Sequence, residues 1–145
     1  KEEPTVRPHG LLGVAPSMVE FPDVIPGETA TAHVVLYNND TRTHRYTISS
    51  IFHDEKKEPK TYLTELYQAL PDAGWIRCED TVGIEPGGSK PIDLELTVPE
   101  DKSHFGKQWE DCLLIQPDDG QPEFIRIRVE TRQAPGSETA GNAAP

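Results

Sequence analysis

Residues 14–29 read VAPSMVEFPDVIPGET, and residues 84–99 read IEPGGSKPIDLELTVP. Both place a short alternation of apolar and polar residues next to a Pro-Gly pair. In the second stretch Ile92, Leu94, Leu96 and Val98 alternate with Asp93, Glu95 and Thr97. Side chains of an extended strand point to opposite faces in turn, so this one has an apolar face and a wet face. Pro26-Gly27 and Pro86-Gly87 supply the backbone angles of tight reversals. Short strands repeatedly parted by such turns predict an all-β, antiparallel sandwich of about seven to eight strands.

The pattern continues outward from these two stretches. Residues 17–21 form an edge strand, entered through Pro16 and left at Pro22, because an edge strand need not donate every N–H. Residues 29–38 alternate with Ala32, Val34 and Leu36 on one face, and residues 45–52 with Tyr46 and Ile48 inward. Residues 109–116 and 124–131 are the last two strands, with Ile125, Ile127 and Val129 opposite Phe124, Arg126 and Arg128. The segment QPDDGQP, residues 116–122, closes them into a hairpin. Only residues 61–70, TYLTELYQAL, break the rhythm: Leu63, Leu66, Tyr67 and Leu70 fall at helical spacing. Thr61 can cap a helix there and Pro71 ends it, so one short inserted helix is expected. Such a helix either plugs an open end of the sandwich or presents Tyr62, Tyr67 and Trp75 to a partner, since aromatic anchors dominate interface energetics.

The ends have a different composition. Residues 1–11 are polar and Pro-rich and read as an extended arm. Residues 133–145 hold only small, polar and Pro residues, too little apolar surface to offset the entropy of ordering. The expected organisation is therefore an arm at 1–11, a sandwich at 12–132 and a Pro/Gly/Ala-rich tail at 133–145.

Charge and motif content narrow the function. The net charge of −11 comes without a basic stripe, so nucleic acid and anionic membranes are poor partners. No apolar run has the length of a membrane span. His9, His33, His44, His53 and His104 are scattered without metal-ligand spacing, although His53 and His104 can share one end of a sandwich. Asp118-Asp119-Gly120 resembles part of a calcium loop, but the alternating aspartates of such a loop are missing, and a hairpin turn explains the triplet. No nucleophile elbow occurs, and nothing suggests a cleft holding two carboxylates. No cofactor is expected. Cys78 and Cys112 allow one disulfide or two buried free thiols. Few lysines, a Pro/Gly-rich sandwich and the sequon at Asn39 point to an extracytoplasmic setting.

Pro16, Val19, Phe21, Val24, Pro26, Gly27 and the apolar strand from Val34 to Asn38 resemble immunoglobulin-like modules of the major-sperm-protein and ASPM–SPD-2–Hydin type. Bacterial surface modules of the same outline are also similar. The second half matches through Ile84, Pro86, Gly87, Ser89, Ile92, Leu94, Leu96, Pro99 and Gly106. These motifs are structural; sandwiches of this outline host unrelated functions. The resulting expectation is a non-enzymatic structural or interaction subunit. It would pack against other protein subunits in an extracytoplasmic assembly, through its arms, a sheet edge and exposed aromatics. A carbohydrate- or other ligand-binding module, using Trp75, Trp109 and the tyrosines, is the alternative. A metal-binding accessory protein is the third.

Overall fold

The computed structural model describes residues 12–50 and 67–135. Among the described residues, eight strands have four residues or more: β1 (Leu12–Ala15), β2 (Met18–Val24), β3 (Thr29–Asn38), β4 (His44–Ser50), β7 (Thr81–Ile84), β8 (Ser89–Thr97), β9 (Gln108–Pro117) and β10 (Glu123–Thr131). Two more, β5 (Gln68–Ala69) and β6 (Ile76–Arg77), have only two residues. A four-stranded sheet in the order β1-β3-β8-β6 stacks on a six-stranded sheet in the order β2-β10-β9-β4-β7, with β5 also on β9. This is the immunoglobulin-like sandwich expected. Its pairing is antiparallel except at β2–β10 and β5–β9.

The two sheets are joined first by the chain's own start. β1 pairs with the end of β3, Leu12 opposite Asn38 and Ala15 opposite Val35. The backbone then crosses at Pro16-Ser17, and β2 joins the other sheet beside β10, Met18 opposite Arg126. The strand runs through Pro22 to Val24, further than residues 17–21, because the backbone shifts register against β10 beyond Val129. Asp23 takes a left-handed conformation (φ 65°), which short polar side chains tolerate, and its carboxylate binds both Nε and Nη2 of Arg132 at 2.9 and 2.6 Å.

The core lies between the sheets and follows the alternation of the sequence. Val34, Leu36, Ile92, Leu94, Leu96, Val98, Ile115, Ile125, Ile127 and Val129 are all at most 1% exposed. Burying a side chain of this size stabilises by about 1.5–3 kcal/mol, so this set drives the collapse. A second, small apolar cluster of Cys112, Leu114 and Phe124 lies on the other face of the six-stranded sheet. β9 is consequently buried on both faces, Glu110 and Asp111 included.

Most of the expected helix, residues 61–66, lies outside the described residues. Its far end is extended: Gln68 and Ala69 pair with Trp109 and Glu110, and Leu70 donates its N–H to the Glu110 carbonyl. β9 explains this. β4 covers its edge only from Leu113 to Pro117, so the ladder positions at Trp109 and Glu110 are satisfied by β5 instead. Asp111 stands between the two, accepting from Ser50 Oγ and the Cys112 N–H, both at 2.7 Å.

One polar side chain organises an end of the sandwich. Asn38 is fully buried where β3 stops. Its Nδ2 donates to the carbonyls of Ile84 and Arg42, each at 2.8 Å, and its Oδ1 accepts the Asp40 N–H at 2.9 Å. Its backbone bonds the Gly87-Gly88 turn in both directions, where Gly87 has φ 73°. Replacing Asn38 by Ala leaves two carbonyls and an N–H without this partner, and one such loss costs roughly 1–3 kcal/mol. Urea denaturation of Asn38→Ala is expected to show at least that destabilisation with an unchanged slope.

Candidate functional site

Among the described residues, four groups of side chains carry polar or aromatic chemistry. The first closes one end of the sandwich. Asp72 caps a 3-10 turn over Ala73–Trp75 through the Gly74 N–H at 2.8 Å, and Asp101 caps another over Lys102–His104 through Ser103. The two bonds from Ser103 hold the Asp101 carboxyl below the usual range. The turns bring the ring of Trp75 within 4.9 Å of His104 and 5.4 Å of Trp109, centroid to centroid. His104 Nδ1 lies 2.7 Å from the Pro99 carbonyl, which only accepts, so Nδ1–H is the donor of this bond. Trp109 is core and offers no stacking face; Trp75 is half-buried against it. His53, the residue expected to share an end with His104, lies outside the described residues.

The second group is on the outer face of the six-stranded sheet. Glu110 is fully buried beside two arginines of β10: Arg126 Nε donates to its Oε2 at 2.7 Å, and Arg128 Nε stands 3.8 Å from its Oε1. Arg128 also lies over the ring of Tyr67 at 4.9 Å, and the Tyr67 hydroxyl donates to Glu130 at 2.7 Å. That bond raises the pKa of the phenol. Tyr67 and Trp75 are therefore on opposite faces of this sheet and do not form one patch. Tyr62 lies outside the described residues.

The third group lies at the Asn38 end. His44 is buried, with Nε2 2.6 Å from Asp40 Oδ2 and Nδ1 2.6 Å from Asp118 Oδ1. The other oxygen of each carboxylate accepts a backbone N–H, from Thr41 at 2.6 Å and Arg45 at 3.1 Å. Arg42 donates to Asp119 at 2.7 Å. Bonding to His44 holds both Asp40 and Asp118 below the usual carboxylate range, and the same two bonds raise the His44 pKa. Burial near these carboxylates pushes the Tyr46 phenol up to about 12. Asp118-Asp119-Gly120 is thus the hairpin turn expected, with its carboxylates engaged by the chain's own cations. Neither His44 nor Asp40 stood out in the sequence, where no local spacing links a strand start to a hairpin 74 residues away.

The fourth group is the outer face of the four-stranded sheet. Thr29 bonds Thr97 at 2.7 Å and His33 bonds Asp93 at 2.6 Å across the β3–β8 pair. Above them Tyr37 is 38% exposed and lies beside Gly13 of β1. A methyl group at Gly13 would come within 3.5 Å of the Tyr37 ring, so the glycine makes room for it. β8 is guarded on its far side: β6 pairs only with Leu96 and Glu95, and Lys90 and Pro91 stand on the remainder. A groove of about 250 Å³ opens between β2 and the start of β3, lined by residues that include Glu20, Phe21, Val24, Glu28 and Ala30. A polar groove of about 470 Å³ is lined by residues that include Gln68, Lys107, Gln108, Glu130 and Gln133.

Among the described residues no three His, Cys, Asp or Glu side chains converge as metal ligands, and no helix is long and apolar enough to cross a membrane. Cys78 and Cys112 are both free, one of the two arrangements that the sequence left open. Cys78 packs against the inter-sheet core, whereas Cys112 belongs to the cluster on the opposite face of the six-stranded sheet. Burial pushes their thiols up to about 11 and about 12. Both are poor nucleophiles at neutral pH, since the thiolate is the reactive form.

No family model and no curated protein matches the chain. Solved structures do. The ASH/PapD-like domain 7 of human CEP192 superposes with a TM-score of 0.61 at 15% identity, over 92% of this chain and 94% of that one. A putative carbohydrate-binding protein of Bacteroides ovatus gives 0.63 at 11%, over 83% of this chain and 37% of that one. WR4, a major-sperm-protein family member of Caenorhabditis elegans, gives 0.51 at 11%, over 85% and 99%. These likenesses bear out the immunoglobulin-like sandwich of major-sperm-protein and ASPM–SPD-2–Hydin type outline.

A thiol reagent added at pH 8 without reductant should label Cys78 and Cys112 slowly in the native chain and rapidly in denaturant. A chain that yields no free thiol when denatured would contradict the separation of the two residues.

Proposed function

We propose that this chain is a non-catalytic interaction module that takes up an extended segment of a partner protein along a sheet edge. One observation carries the reading. β3 has ten residues, and β1 pairs with only the last four, Val35 to Asn38. Among the described residues, residues 29–34 are paired by β8 alone. Their other edge is a row of backbone donors and acceptors beside the groove at Phe21, Val24 and Ala30. An added strand gains main-chain hydrogen bonds from such an edge and side-chain pockets from such a groove. Glu20 and Glu28 on the rim favour a segment with basic residues.

Chemistry elsewhere is consumed in holding the fold. His44 is bound by Asp40 and Asp118, His104 by Pro99, Glu110 by Arg126, and the cysteines are buried with raised pKa values. This supports the non-enzymatic reading. We place the assembly outside the cytoplasm on the Pro/Gly-rich composition with few lysines. A second reading, carbohydrate binding, draws on the groove with Gln68, Gln108 and Gln133, whose amides suit sugar hydroxyls, rather than on the two tryptophans.

Hydrogen exchange measured on the chain alone and in its native assembly checks the first reading. Amides of residues 29–34 that face away from β8 are expected to gain at least tenfold protection in the assembly. A chain recovered from its source as a monomer, with those amides unchanged, would refute it.

A further inference from the structure

The polar end of the sandwich does more than close it. Asp40 Oδ1 is committed to the Thr41 N–H and Asp118 Oδ2 to the Arg45 N–H. Each carboxylate then turns its remaining oxygen to one ring nitrogen of His44, both at 2.6 Å. Ionised carboxylates only accept, so both nitrogens must donate. Neutral imidazole has one N–H; only the imidazolium has two. A neutral His44 would set a lone pair against a carboxylate oxygen at hydrogen-bond distance, and one of the two contacts would open.

We propose that protonated His44 is a pH-sensitive latch that fastens the Asp118 carboxylate of the β9–β10 hairpin to the β3–β4 loop and releases that carboxylate when it loses its proton. The weaker side is the hairpin. The Asp118 side chain is 50% exposed and that of Asp40 only 15%, so water replaces His44 more readily at Asp118. Asp40 is also held from behind by the Asn38 amide through its backbone.

The other groups around the ring fit this assignment. From the β3–β4 loop, Arg42 stands 3.7 Å from Asp40 and pairs with Asp119, giving the hairpin a second, exposed tie. From the hairpin come Asp118 and Asp119. On the same strand as His44, the Tyr46 ring lies 6.1 Å away and stays neutral over the working range. Leu12 of β1 and Pro117 of β9 line a small gap beside the ring with Gly120 and Gln121, which limits water there.

The direction of the pH dependence follows. His44 folds with a pKa above the ordinary 6.5, so its contribution is complete below that pH and is lost as the pH rises through the folded value. Asp40 and Asp118 fold with values below 3.8, so their contribution holds above 3.8 and is lost as the pH falls through the depressed values. The latch is closed between these limits and opens on the alkaline side.

Nitrogen-15 NMR of the imidazole rings in the unmodified chain tests this directly. At pH 6.5 both His44 nitrogens are expected to be protonated, with a titration midpoint above 6.5. Backbone signals of residues 118–121 should shift with the same midpoint. Asp118→Asn should move the midpoint down and abolish the linked shift of the hairpin. Thermal denaturation of His44→Gln and the unmodified chain adds a second readout: their difference in Tm should shrink as the pH rises from 6 to 9. A neutral ring of one tautomer at pH 6.5, hairpin signals indifferent to the His44 titration, or a Tm difference independent of pH would each overturn the latch.

Discussion

The Asn38 amide is the constraint on which one end of this molecule depends. Three of its bonds reach into two separate pieces of backbone: the end of β7 at Ile84, and the β3–β4 loop at Asp40 and Arg42. A buried amide without partners is costly, so these pieces must meet at one point for the core to close over it. Once Asp40 is placed, His44 has its first acceptor, and through His44 the Asp118 hairpin is drawn to the same end. A single residue at a strand end thereby positions elements far apart in sequence.

The strands were legible because alternation is a local signal. Ile92, Leu94, Leu96 and Val98 announce a half-buried strand, and all four are in the core. Pro26-Gly27 and Pro86-Gly87 mark turns that the backbone then makes. Sequence did not foretell that β2 runs parallel to β10, since strand direction across a sandwich depends on where the chain changes sheets. Nor did it foretell β5. Its two residues are extended because the edge of β9 needs partners there, a tertiary demand that overrides local helical spacing.

The candidate sites were less legible for the same reason. Tyr67 and Trp75, eight positions apart in the chain, fall on opposite faces of one sheet. Cys78 and Cys112 are likewise separated by that sheet. Spacing along a chain says little about proximity when strands cross between layers. The ionic chemistry followed suit: the partners of Asp23, Asp40, Asp118, Asp119 and Glu110 are Arg132, His44, Arg42 and Arg126, most of them remote in sequence.

The two margins of the four-stranded sheet are not alike. On the β6 side, Lys90 and Pro91 stand on the uncovered part of β8, and a proline cannot donate to a newcomer. The start of β3, on the β1 side, carries no such residue. A sheet that is receptive along one border and barred along the other can accept a single neighbour but cannot pass the pairing on. Growth of copies edge to edge into a continuous ribbon needs two receptive borders, and the barred one guards this sheet against it.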